Sequence, residues 1–140
     1  MSNPVTIDAS VFVSAFTPSE KAHLPCKALL HEVRQSGAPI ILPTLAIVEI
    51  AAAIGRGQGK PDLGYAFALE VSHFPELTLV NLDTRLAQTA AEIAARHCLR
   101  GSDAVYIAVA RRFAATLVTL DAEQRERAAA IVPVRCPEKE

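Results

Sequence analysis

A chain of 140 residues, 51% apolar but only 5% aromatic, is of a size for one domain with a sizeable core built from Ala, Val, Ile and Leu. A formal net charge of −1 excludes the bulk electrostatic signature of a protein that coats DNA or RNA, so any nucleic acid must be held locally. The apolar fraction and a mean hydropathy of +0.25 are high for a soluble protein, which leaves apolar surface for a partner.

Residues 5–7, Val-Thr-Ile, are a short β-branched run ending at Asp8, after which the chain turns without Gly or Pro toward a first helix. Asp8 is thereby placed at a strand's carboxyl end. Over 19–36, Ala22, Cys26, Leu29, Leu30 and Val33 recur at helical spacing, and Gly37 is a natural C-terminal cap. Residues 39–43 form a second strand bounded by prolines, and Thr44 is a fair N-cap for a helix over 45–54 that carries Glu49. Residues 55–61, with three Gly, one Pro and the cations Arg56 and Lys60, read as a mobile basic loop able to close on a phosphate backbone, and a short helix follows over 63–74.

Residues 77–80 are a third strand, and Asp83 or Thr84 caps a helix running to about His97. In the unit 99–121, Ser102 is the expected N-cap, and Asp103 opens a helix apolar on nearly all sides up to Ala114, hence buried. A strand over 116–120 then delivers Asp121. A short Glu- and Arg-rich helix over 123–130, a last strand over 131–134 and a polar tail over 137–140 complete the chain. Short apolar strands alternating with helices predict a three-layer α/β/α sandwich around a mainly parallel sheet.

Cys26, Cys98 and Cys136 are odd in number and lack a Cys-x-x-Cys pair, against both a disulfide framework and a thiolate zinc site. Residues 1–4 have neither a basic segment nor an apolar run, and Glu49 interrupts the longest apolar-rich stretch. A soluble, cytoplasmic protein without membrane contact is expected. His23, His31, His73 and His97 are scattered, without the helical spacing of a zinc hydrolase, and Arg111 and Arg112 suit a helix C-terminus as well as a phosphate.

Asp8, Glu49, Asp103 and Asp121 each follow a strand or lie in the helix after one, so a parallel sheet would direct all four at one crevice. Asp103 alone would suit the helix dipole, and Asp121 alone an N-cap. Glu49, inside an apolar helix, needs a partner or a metal. Four carboxylates in one pocket repel unless a cation neutralises them, and oxygen ligands without His or Cys select Mg²⁺ or Mn²⁺. The expected chemistry is metal-assisted phosphoryl or phosphodiester hydrolysis.

In order and context, Thr6-Ile7-Asp8-Ala9-Ser10, Glu49 within Ile47-Val48-Glu49-Ile50-Ala51, Leu99-Arg100-Gly101-Ser102-Asp103-Ala104 and Leu117-Val118-Thr119-Leu120-Asp121 resemble the PIN-domain nucleases, above all the VapC-type toxins. The resemblance covers nearly the whole chain. It implies that Asp8, Glu49, Asp103 and Asp121 form a catalytic Mg²⁺ or Mn²⁺ site, with the hydroxyls of Ser10 and Thr119 beside it. It also implies an RNA substrate, an inhibitory antitoxin protein and a homodimer. Ala9 leaves Asp8 without an acidic neighbour, and whether Glu123 joins Asp121 is open, as is the number of metal ions. The rival readings are a PIN-fold protein-binding module without catalysis, a haloacid-dehalogenase-like phosphatase and a receiver-type switch. The phosphatase wants an Asp where Ser10 stands, and the receiver a Lys late in the sheet, where there is only Lys139.

Overall fold

The computed structural model describes residues 3–138, so the last two residues of the expected tail, Lys139 and Glu140, lie outside the described residues. The elements are β1 (Val5–Ile7), α1 (Ala9–Phe16), α2 (His23–Ser36), β2 (Ile40–Pro43), α3 (Leu45–Gly55), α4 (Pro61–Ser72), β3 (Leu77–Val80), α5 (Thr84–His97), α6 (Gly101–Arg112), β4 (Thr116–Val118), α7 (Ala122–Ala128) and β5 (Val134–Arg135). The five strands form one sheet in the order β3-β2-β1-β4-β5, and every pairing is parallel.

Strand order fixes where a ligand can enter. From β1 the chain steps through β2 to β3 in one direction, then returns across the sheet to lay β4 on the other side of β1. Right-handed crossovers in opposite directions put α1–α4 on one face and α5–α7 on the other, completing the α/β/α sandwich. Accordingly α1 packs on α2 and α3, α3 on α4 and α5 on α6. The reversal falls between β1 and β4, and a crevice opens outside the carboxyl ends of the strands at such a point. Asp8 directly follows β1, and Asp121 follows β4 by three residues.

The all-round apolar pattern of α6 is explained by burial: each residue from Asp103 to Ala110 is buried, and the helix packs on β1, β2 and β4. Phe12, Ile7, Leu42, Ile50, Ile107 and Leu117 complete the same core.

Several boundaries differ from the sequence reading. Ser102 lies inside α6; Arg100 is the N-cap, and no side chain caps the helix. Thr44 precedes α3 but likewise makes no side-chain cap. The helix expected from 19 starts at His23, after turns in which Glu20 and His23 donate their backbone N–H groups to the carbonyls of Thr17 and Glu20. The last strand is Val134–Arg135 rather than 131–134, because Ile131 and Val132 both bond back to Ala128 and close α7 first.

The segment 55–61 is a bonded corner rather than a free loop. Arg56 and Gly57 donate to the Ala52 carbonyl, Gln58 and Lys60 to that of Ile54, and the Gln58 amide reaches the Thr17 hydroxyl at 2.8 Å. Glycine is needed at Gly64, where a Cβ would stand 2.7 Å from the Gly55 nitrogen and 2.8 Å from the Ala51 oxygen. Its absence lets α4 lie directly on α3. Among the described residues no helix is long and apolar enough to cross a membrane.

Candidate active site

Asp8 is the N-cap of α1: its Oδ2 accepts the Ser10 N–H at 3.0 Å, and its own N–H bonds the Val118 carbonyl at 2.9 Å, tying the end of β1 to β4. Asp103, 8% exposed, stands in the first turn of α6, and Glu49 projects from the middle of α3. These three carboxylates line one cavity of about 430 Å³ with Ser10, Ser14, Glu20, Arg100 and Ser102. Asp121 lines an adjoining cavity of about 230 Å³ with Asp103, Arg100, Glu123 and Gln124. Arg100 and Asp103 are thus common to both. Arg100 donates through Nε to Asp103 Oδ2 and through Nη2 to Asp121 Oδ2, each at 3.0 Å.

The electrostatics follow from crowding. Burial pushes the Asp8 carboxyl above its ordinary range; Ser10 opposes the shift, while the charges of Asp103 and Asp121 add to it. Glu49 is pushed up by burial and by Asp8 and Asp103, against a stabilising hydrogen bond from Tyr106 and the charge of Arg100. Asp103 thus acts on both acids, and Asp8 acts on Glu49.

Tyr106 has no counterpart in the sequence reading. Wholly buried on α6, it donates its hydroxyl to Glu49 Oε1 at 2.6 Å and so supplies the partner that an acid on an apolar helix requires. A Tyr three residues after Asp103 on the same helix was the one available signal, since that spacing sets both over the same neighbour. Tyr106→Phe is expected to cost about 1–2 kcal/mol at neutral pH, the net worth of a hydrogen bond to a partly solvated charge. Urea unfolding should show the loss shrinking as the pH falls and Glu49 takes up its proton.

Around Asp121 the polar side chains hold the loop. Its Oδ1 caps α7 through the Gln124 N–H at 3.1 Å, and its own N–H bonds the Thr119 hydroxyl at 3.2 Å. The Thr119 hydroxyl donates in turn to Gln124 Oε1 at 2.7 Å, so Thr119 lies beneath Asp121 and lines neither cavity. Ser10, by contrast, lines the larger cavity, and its Oγ is buried without a hydrogen-bond partner within the chain. Glu123 shares the cavity of Asp121, with Arg127 3.3 Å from its carboxylate. Arg56 and Lys60 are exposed at the α3–α4 corner and line neither cavity.

Among the described residues no group of three or more His, Cys, Asp or Glu side chains is placed to hold a metal ion together. An Mg²⁺-like ion does not need such a group, since it keeps several waters and binds through one or two carboxylates. The donor set fits such an ion: oxygen ligands only, two carboxylates disfavoured as bare charges, and an orphaned Ser10 hydroxyl in the wall.

The class these features define is a parallel α/β domain with an acidic crevice at its switch point. The sequence profile of the PIN domain matches residues 5–130, and the chain belongs to the PIN-domain family. No sequence among the curated proteins matches it. Among solved structures it is similar to VapC20 of Mycobacterium tuberculosis, a sarcin–ricin loop cleaving toxin, at 19% identity and a TM-score of 0.75 over 94% of this chain and 98% of that one. It is also similar to FitAcB from Neisseria gonorrhoeae, at 21% identity and a TM-score of 0.70 over 95% and 97%. VapBC2 from Rickettsia felis, bound to a DNA fragment from its promoter, aligns at 12% identity and a TM-score of 0.72 over 95% and 98%. At these identities the likeness is one of fold.

Proposed function

We propose that the chain is a divalent-metal-dependent endoribonuclease that hydrolyses RNA phosphodiester bonds as the toxin of a toxin–antitoxin pair. The observation that carries this reading is the gathering of Asp8, Glu49 and Asp103 on one cavity at the switch point, with Asp121 joined to them through Arg100, in a PIN-family chain.

Asp8, Glu49, Asp103 and Asp121 are the residues that would hold Mg²⁺ or Mn²⁺. Such an ion, when bound, supplies an acidified water and neutralises phosphate charge. Burial and the neighbouring acids raise the Asp8 and Glu49 carboxyls in the metal-free site, and the charge of a bound ion would oppose that shift and favour both as carboxylate ligands. Tyr106 aims Glu49, Thr119 and Gln124 aim Asp121, and the Ser10 hydroxyl offers a further polar contact in the wall. Arg56 and Lys60 are proposed to meet the RNA backbone outside the crevice.

The antitoxin reading is supported by the exposed Val48, Leu63, Tyr65 and Leu69 on α3 and α4, and by the similarity of the fold to a toxin–antitoxin complex from Klebsiella pneumoniae. A homodimer would cover the apolar groove of Leu45, Leu82, Ala90, Ala94 and Val105. We place the protein in the cytoplasm, where RNA and an antitoxin would meet it.

The test is incubation of purified protein with a structured RNA, and with DNA of the same sequence, in Mg²⁺, Mn²⁺ or EDTA. Cleavage of the RNA alone, dependent on the ion, is expected. Equal cutting in EDTA would remove the metal from the reading, and no cutting in any condition would remove the nuclease. In cells, growth arrest by the wild type should be relieved by the Asp103→Asn change; equal arrest by both would mean burden rather than toxicity.

A further inference from the structure

Among the described residues Arg100 is the only Lys or Arg that lines either cavity of the crevice, and it lines both. Its backbone is fixed as the N-cap of α6, reached through the left-handed turn at Cys98 that ends α5. Its head is held by hydrogen bonds to two carboxylates. Nε and Nη2 bridge the Oδ2 atoms of Asp103 and Asp121, while 74% of the side chain stays exposed. The carboxylates are more sheltered, but with the guanidinium so open to water its contacts can exchange.

The bridge has a consequence for any divalent ion. A cation held by Asp103 and Asp121 would draw on the two carboxylates that the guanidinium now bridges, so the two would compete for their charge. Arg100 also offsets some of the repulsion among the acids when no such ion is bound. Once released, a planar guanidinium tethered at the rim of the crevice has the phosphodiester backbone as its natural partner, because its fork matches two phosphate oxygens.

We propose that Arg100 exchanges partners: it bridges Asp103 and Asp121 while no divalent ion is bound, and turns to a nucleic-acid phosphate when one is. This inference rests on the nuclease reading above. Arg100 is in this view first a positioning residue for the acids and then a substrate-binding one.

The experiment uses the full chain and the variants R100Q and R100K, with circular dichroism to verify folding. Mn²⁺ is first titrated by calorimetry without RNA. R100Q is expected to bind Mn²⁺ about 3–10-fold more tightly than wild type, having lost the competitor, and R100K, which can bridge only one carboxylate at a time, should lie between. RNA cleavage is then followed at saturating Mn²⁺. R100Q should raise KM about tenfold with kcat changed less than about threefold, and the slope of log KM against log salt should fall by about 0.7, one phosphate contact on a single strand. Equal Mn²⁺ affinity in wild type and R100Q would overturn the competition. An R100K affinity equal to wild type would reduce the bridge to a through-space charge and overturn it too. An unchanged KM and salt slope would overturn the phosphate contact. If the wild type binds no Mn²⁺ at all, the metal reading fails first, and that outcome is visible before any variant is made.

Discussion

Asp8→Asn, Glu49→Gln and Asp103→Asn are each expected to lower kcat/KM on RNA by about 10²–10³-fold, the usual cost of removing one preorganised charge from a reacting centre. Asp121→Asn belongs to the same set. Each change keeps the shape of the side chain. An Asn at Asp8 or Asp121 can still accept the Ser10 or Gln124 N–H that the carboxylate accepts now, so α1 and α7 keep their caps. The loss should therefore appear in activity and leave the circular dichroism spectrum unchanged. Near-wild-type cleavage by two or more of these folded variants would sink the site.

The second large effect is on stability, and it runs opposite to the first. In EDTA at neutral pH, Asp8→Asn is expected to melt a few degrees above wild type, because it removes a half-buried charge that Asp103 and Asp121 repel. The gain for Asp103→Asn should be smaller, since that change also takes one of the two carboxylates from Arg100.

The pH dependence has a definite sign. Asp8 and Glu49 have folded-state pKa values raised above the ordinary 3.8 and 4.5, so below those ordinary values their contribution to stability is complete. It is lost as the pH rises through the raised values. The metal-free wild type should accordingly gain stability when neutral solution is acidified toward that range, and Asp8→Asn should gain less. Added Mn²⁺ or Mg²⁺ at about ten times its Kd contributes roughly 1.4 kcal/mol, a shift of roughly 4–6 °C for a domain of this size, and the Asn variants should show much less of it. Thermal melts of wild type and variants in EDTA and in either ion, across the acid range, check both statements. Equal midpoints in every condition would mean that these acids share no metal.

The order of strands and helices was legible because it rests on local signals. Three- and four-residue apolar runs between Pro, Gly and capping residues define β1, β2 and β3, and the all-apolar stretch after Asp103 defines a buried α6. The same signals place Asp8 and Asp121 after strands, since Asp is both a strand terminator and an N-cap and here serves as both. Where two local signals competed, the boundary moved. Ser102 has the chemistry of a cap, but Arg100 already has the extended backbone of one, and the left-handed turn at Cys98 sets α6 going two residues earlier. The composition of 55–61 suggested mobility, yet its N–H groups close onto Ala52 and Ile54 because α4 must turn back onto α3 at Gly64.

The sequence by itself determined the α/β class, the positions of four acids relative to the strands, and the need of Glu49 for a partner. Only the tertiary structure decided which partners those are. Tyr106 meets Glu49 across 57 residues of chain, and Arg100 meets Asp121 across 21. Periodicity and capping report on neighbours three or four residues apart, whereas these contacts arise from the return of the chain past β1, which lays α6 and β4 beside Asp8. The division of the crevice has the same origin: α6 begins with Arg100 at the rim, and a guanidinium there reaches both Asp103, one turn along its own helix, and Asp121, beyond the end of the strand that follows.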